Sequence, residues 1–301
     1  MNINNDVEAV ITSFNQKSMI YEAVQSLCRQ TILPKRVTIV DDGSTDEESV
    51  SILNEIEADG ELPVQVRVIR QTNRGVSAAR NAGICETEVP FVLVLDGDDN
   101  LEPSFIEEVG KILSENPSMV AASSWMHTFG VLASVVRPTG GDITAFLSHN
   151  CCPATHIFRR SAWQKCGGYD ESMRGGFEDW DFFLNMLETT QGAKIGIVKQ
   201  ALINYRTTPV SSNIKSMEKR LELMRYIMEK HIRIYQEHMI ETMLEMETIY
   251  MSRLYGWESE MIYAKLTGKP LTDVSKAFMK SPSYGDGGMA SAVRIASVEK
   301  R

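Results

Sequence analysis

The sequence predicts an α/β fold: a mostly parallel central sheet sandwiched between helices, followed by an α-helical C-terminal extension. Three observations predict it. Short runs rich in valine and isoleucine alternate with helix-like segments over residues 8–115. These near-continuous apolar runs, separated by helices, imply a parallel sheet covered on both faces. Between Pro209 and Gly256, neither glycine nor proline interrupts a helical apolar period.

The predicted strands are EAVITSF (8–14), RVTIV (36–40), VQVRVI (64–69) and FVLVL (91–95). Helices are predicted over 18–30, 46–58, 76–85 and 103–115. Beyond residue 117 the order becomes irregular, with strands near 119–125 and 154–159 and a helix over 178–189. KIGIV and LINYR then read as two short strands. In the tail, apolar residues recur from Met217 through Met224, Ile232 and Met243 to Leu254, 37 residues in ten steps. That is about 3.7 residues per step, the period of one long helix or two end to end. Residues 257–301 read as short helices and a frayed end, because SPSYGDGG breaks any regular pattern. The predicted organisation is one domain over 1–212, with halves of about 1–100 and 101–212, and a helical extension over 213–301.

With 31 Lys+Arg against 40 Asp+Glu, the net charge of −9 argues against nucleic-acid partners. A phosphate-bearing substrate stays admissible if a metal supplies local positive charge. Five cysteines, an odd number without a CxxC pair, read as reduced thiols. MNINNDVEAVITSF is polar before its first apolar run, so no signal peptide is expected, and no apolar stretch suits a membrane span. The expectation is a soluble, cytoplasmic protein.

In open parallel sheets, ligands sit beyond the carboxyl ends of the strands. Asp41, Asp42 and Asp96 to Asp99 each follow a strand immediately, so they share one rim. In LDGDDN (95–100), Asp96 and Asp98 point the same way along an extended chain. Oxygen-only ligands suit Mg²⁺ or Mn²⁺, and a cation relieves the repulsion of packed aspartates. Asp99 and Asn100 read equally well as caps of the next helix. In VDDGSTD (40–46), Ser44, Thr45 and Asp46 read as helix-capping residues, whereas Asp41 can accept from a pyrimidine N–H. QTNRGVSAARNAGI (71–84) carries Arg74 and Arg80, either surface arginines or partners of phosphate oxygens or the acidic cluster. In GGFEDWDFFLN (175–185), Asp181 suits the dipole of the helix it starts, and Asp179 can deprotonate an acceptor hydroxyl. Trp180 reads equally as a sugar-stacking ring or a core residue. His156 reads as cleft-lining or as a satisfied polar group.

AVITSFN, IVDDGSTD, NRGVSAARNAGI, FVLVLDGDD and FRRSAWQKCGGYDE…GGFEDWDFFL occur in one order over residues 7–207. Together they resemble the inverting nucleotide-sugar glycosyltransferases of family 2, which have the GT-A fold. The resemblance implies nucleotide-binding roles for Thr12, Phe14, Asp41, Asn73, Gly75, Arg80 and Asp96, with Asp41 at the uracil when UDP is the carrier. It implies a metal at Asp98 and Asp96, the motif DXD, and a catalytic base Asp179 with neighbour Glu178. Arg206 matches a late Tyr-Arg motif near the diphosphate, grouped with Trp180 and His156 on the acceptor side. Thr208 stands where many relatives carry a histidine. The implied reaction moves a sugar from a nucleotide diphosphate donor, a UDP-sugar by family habit, to a glycan, lipid-linked or protein acceptor, with Mn²⁺ or Mg²⁺ as cofactor. A nucleotidyltransferase, or a non-catalytic nucleotide-sugar binder acting through its tail, are the competing readings. The methionine-rich tail lies outside the resemblance and reads as packing on the catalytic domain or as a homo-oligomer contact.

Overall fold

In a computed structural model, residues 6–209, 212–268 and 273–299 are described. Four parallel strands open the chain: β1 (Val7–Ser13), β2 (Val37–Asp41), β3 (Val66–Arg70) and β4 (Phe91–Asp96). They alternate with α1 (Met19–Cys28), α2 (Glu47–Ala58) and α3 (Val76–Cys85). All of β1 and β2 is buried, which is why these segments lack polar alternation. The nine-stranded sheet continues through β5 (Asn100–Leu101), β6 (Met119–Gly130), β7 (Ser134–Val136), β8 (His156–Arg159) and β9 (Lys194–Thr207). Its order is β3-β2-β1-β4-β8-β6-β9-β5, with β7 on β6. Register pairs Thr12 with Asp96 and Ser13 with Asp41, bringing the polar strand ends onto one rim.

The sheet's helical cover includes α4 (Phe105–Glu115), α5 (Ile143–Phe146), α6 (Arg160–Cys166) and α7 (Glu178–Thr189). Gly83, on α3, faces the sheet so closely that a Cβ would run into Val10 and Val40. That close seating brings α3 against β1 and β2.

Two expectations for the second half need correction. KIGIV and LINYR are one strand, β9. Register jumps from Ser124↔Val198 to Trp125↔Ala201, so polar Lys199 and Gln200 form a bulge where a break was expected. Asp99 does not cap a helix; it is buried and accepts the Arg206 backbone N–H at 2.8 Å.

The tail also differs from one or two helices. It contains α8 (Ser212–Glu218), α9 (Arg220–Lys230), α10 (Ile232–Glu237) and α11 (Met239–Thr267), interrupted at Lys219, His231 and His238. No glycine or proline causes these breaks. At His231 the ring is drawn inward to Asp181 and Glu188, and tertiary anchoring interrupts the helix. The apolar stripe is split as well: Met224 and Tyr235 are buried, whereas Leu221, Met228, Met243, Tyr250 and Leu254 are exposed. Beyond SPSYGDGG the chain does not fray within the described residues. After α12 (Asp273–Lys280), helix α13 (Gly288–Glu299) buries Ala290, Ala292 and Val293 with Leu132 and Ile214. The first five residues of the expected polar N-terminus and the last two of the chain lie outside the described residues. Among the described residues, no helix is long and apolar enough to cross a membrane.

Candidate active site

A cleft of about 1140 Å³ opens over the carboxyl ends of the parallel strands. Thr12 and Phe14 enter it from β1, Asn73 and Gly75 from the loop before α3, and Asp96, Asp98 and Asp99 from the turn after β4. Glu178 and Asp179, at the start of α7, line the same cleft. Phe177, just ahead of α7, holds the left-handed conformation at φ 66°, strained for a non-glycine residue, and sets the direction in which that first turn enters.

Arg80 joins the two acidic groups. It projects from α3 and is 2% exposed. Its Nη2 donates to Asp96 Oδ1 at 2.8 Å; its Nη1 donates to Asp179 Oδ1 at 2.5 Å and Glu178 Oε1 at 3.4 Å. One guanidinium thus faces three carboxylates. Burial would lower its pKa, but Asp179 and Asp96 raise it well above the ordinary value, so it stays charged. The resemblance puts Arg80 on the phosphate wall; the structure instead commits both terminal nitrogens to protein carboxylates.

The excess acid is costly where water is scarce. Burial pushes the Asp179 carboxyl up, Arg80 opposes that, and Glu178 and Asp96 add to it. Asp98 is pushed up to about 6 by burial and then by Asp96. Asp99 rises well above the ordinary range for the same first cause, with Asp98 and Asp96 adding to it. A cation at this turn would relieve all three effects. Among the described residues, the Asp98 carboxylate bonds to no other side chain, so it is the better placed ligand, with Asp96 sharing one oxygen with Arg80. Among the described residues, no group of three or more His, Cys, Asp or Glu side chains is arranged to hold a metal. Two carboxylates nonetheless suit Mg²⁺ or Mn²⁺, which take further oxygens from water and substrate phosphate.

Asp41 is buried at the end of β2 and accepts the Ser44 N–H at 3.1 Å; it is not part of the cleft lining. Its neighbour Asp42 is. The Asp42 carboxylate accepts from Gln71 Nε2 at 2.7 Å and from the backbone N–H groups of Arg74 and Gly75, both at 2.8 Å. It therefore shapes the loop that carries Asn73, with Gly75 at φ +90. Sequence reasoning left Asp42 without a role. The signal was present, since consecutive residues at a strand end point opposite ways. Asp46 caps α2 through the Ser49 N–H, as its position suggested.

Two acceptor-side expectations change, those for His156 and Trp180, while Arg206 lines the cleft. His156 is fully buried, its ring among Phe158, Phe182 and Phe183 and its Nδ1 against the Ala154 carbonyl. Burial lowers its pKa to about 3, so it is a neutral core residue behind the cleft. Trp180 is 1% exposed, and its indole N–H donates to the Phe146 carbonyl at 2.6 Å. Its ring is floor, with no free face for a sugar. Arg206 is a clamp: Nε donates to the Asp98 carbonyl at 2.9 Å, Nη2 to Glu22 at 2.6 Å, and the guanidinium lies 4.6 Å from the Phe129 ring centroid. Asp181 stands in the first turn of α7, as expected. It is fully buried, bonded to His231 and Lys230.

The tail supplies cleft residues that no linear motif announces. Lys215, Ser216 and Lys219 line the cleft, as do Tyr284, Gly285 and Met289. Ser216 packs where a Cβ on Gly176 would sit.

Against known proteins, the family model for glycosyl transferase family 2 matches residues 8–167, more than half of the chain. The chain belongs to glycosyl transferase family 2. An uncharacterized glycosyltransferase of Bacillus subtilis (strain 168), YwdF, is 26% identical over 186 residues, covering 59% of this chain and 66% of that protein. Chondroitin synthase of Pasteurella multocida (strain Pm70) is 27% identical over 187 residues, 60% of this chain but 19% of the synthase. This chain therefore spans about a fifth of the synthase's length. Among solved structures, residues 1–349 of TarS from S. aureus in complex with UDP-GlcNAc superpose with a TM-score of 0.55 at 20% identity, covering 67% of this chain and 59% of that one. That likeness fixes the fold as GT-A type. The family match ends ahead of Glu178 and Asp179, so these residues rest on their geometry alone.

Proposed function

We propose that this family 2 glycosyltransferase moves a sugar from a UDP-sugar to an acceptor hydroxyl with inversion at the anomeric carbon. The observation that carries the reading is the single cleft shared by Asp98 and Asp179, joined through Asp96 and Arg80. Neighbours of the same fold bind UDP and UDP-GlcNAc, which supports UDP as the carrier.

Donor uridine lies over Thr12 and Phe14, beside the loop that Asp42 shapes. A divalent cation, when bound, neutralises charge on the departing diphosphate, and Asp98 with Asp96 would hold it. Asp179 takes the acceptor proton on a carboxylate oxygen as the hydroxyl attacks from the face opposite the diphosphate, which inverts the anomeric centre. Burial makes Asp179 a stronger base than an ordinary carboxylate, and Arg80 keeps it oriented and ionisable. Five free cysteines favour a reducing, cytoplasmic location.

The test is UDP release from a panel of UDP-sugars with Mn²⁺, compared with Asp179→Asn. Binding of UDP and release well above that variant supports the reading. A wild-type protein that neither binds UDP nor releases it from any sugar nucleotide overturns it.

A further inference from the structure

The C-terminal segment 283–290 lies beyond the family match, yet it is fastened across the cleft. Tyr284 Oη donates to the Cys152 carbonyl at 3.2 Å. At Gly285, φ +78, a Cβ would run into the Asn150 carbonyl, so the backbones touch. Arg220 Nη1 from α9 donates to the Gly285 carbonyl at 3.1 Å. Arg253 from α11 pairs with the Asp286 carboxylate at 2.8 Å, and Asp286 also accepts from Ser283 and the Gly288 N–H. Ties from two helices and one loop thus hold a segment that lacks regular structure of its own up to α13.

Its place in the topology says which half of the reaction it faces. The nucleotide side of the cleft is built on β1 to β3. Residues 150 and 152, which receive the segment, precede β8 on the other side of β4. The Tyr284 ring, half-buried against the core and anchored by its hydroxyl, lines the cleft there. Its phenol rises well above the ordinary value, first through burial and then through the Asp179 charge. With Trp180 sealed into the floor, Tyr284 is the ring that the C-terminal segment adds to the cleft, beside Phe177 and Tyr205.

We propose that the C-terminal segment forms the acceptor wall and that Tyr284 is its specificity-determining residue, packing its ring against the apolar C–H face of a pyranose acceptor. This rests on the transferase reading above. A fixed aromatic ring offers apolar area at little entropic cost, and its hydroxyl, committed to Cys152, leaves the ring face for the sugar.

The experiment uses the full chain saturated with UDP and Mn²⁺. Methyl glycosides of glucose, galactose, N-acetylglucosamine and N-acetylgalactosamine are titrated and followed by saturation-transfer NMR and calorimetry. At least one glycoside engages the wild type through its ring protons. Tyr284→Ala and the bulkier Tyr284→Leu weaken it about tenfold or more, whereas Tyr284→Phe stays within about threefold. UDP affinity, measured in each variant, reports that the donor half is folded. Equal glycoside affinity in wild type and both non-aromatic variants overturns the proposal, as does a UDP-loaded wild type that engages no glycoside. Failure of UDP itself to bind is a different result, and it removes the transferase reading beneath.

Discussion

The contact between α9 and α7 makes a stability prediction with a definite sign. His231 is buried, with Nε2 3.0 Å from Asp181 Oδ1 and Nδ1 2.7 Å from Glu188 Oε2. Both neighbours are acceptors, so both ring nitrogens must donate and the ring is an imidazolium. Burial works to lower its pKa, but the two carboxylates outweigh that and raise it. A histidine with a raised folded-state pKa stabilises fully below its unfolded value near 6.5, and the contribution fades as pH climbs through the folded value. His231→Leu removes two charge-assisted bonds worth about 1.5–3 kcal/mol each. Glu188 is partly exposed, which discounts its share, and Asp181 keeps Lys230 and Asn185 as partners. The expected loss is about 2–4 kcal/mol at pH 6, shrinking at pH 9 as the wild type itself gives up the proton. Urea denaturation followed by tryptophan fluorescence measures both gaps. A gap that is flat with pH, or wider at pH 9, refutes the imidazolium assignment.

Other outcomes follow from the acidic hub. Asp179→Asn should lower turnover by about 10²–10⁴ with UDP affinity retained, by steady-state kinetics and calorimetry. In the wild type, the acid limb of the rate profile should lie above the ordinary carboxylate range, since burial raises Asp179 and activity is lost as the pH falls through its pKa. Arg80→Met should cost about 3–5 kcal/mol in chemical denaturation at neutral pH, because Asp96, Glu178 and Asp179 lose their shared cation. Asp98→Asn should abolish any tightening of UDP binding by Mn²⁺ over EDTA, a tightening expected to be about tenfold or more. Gly176→Ala, at φ +113 beneath Ser216, should cost about 1–3 kcal/mol and loosen α8.

The parallel half was legible because β1, β2 and β4 are buried on both faces, so β-branched runs such as VITS and FVLVLD announce themselves, whereas β3 at the sheet edge exposes Arg67 and Arg70. The acidic rim followed from position alone, one step past each strand. Legibility failed where long-range contacts decide. Nothing local marks Arg80 as buried, because its partners lie 16, 98 and 99 residues away. Lys199 and Gln200 look like a loop, yet β6 absorbs them as a bulge. Trp180 and His156 are amphipathic residues whose side is set by which face of α7 and which end of β8 the core takes. The contribution of Tyr284 to the cleft depends on ties at Cys152, Arg220 and Arg253, none of which a linear pattern carries.

Gly83 carries a consequence out of proportion to its size. It sits one helical turn after Arg80, on the flank of α3 that meets Val10 and Val40. The missing side chain sets how deep α3 lies, and so how far the guanidinium can reach past the strand tips. A methyl introduced there would meet Val10 and Val40, and a helix that backs away to relieve the clash takes Arg80 with it, loosening its hold on Asp96 and Asp179.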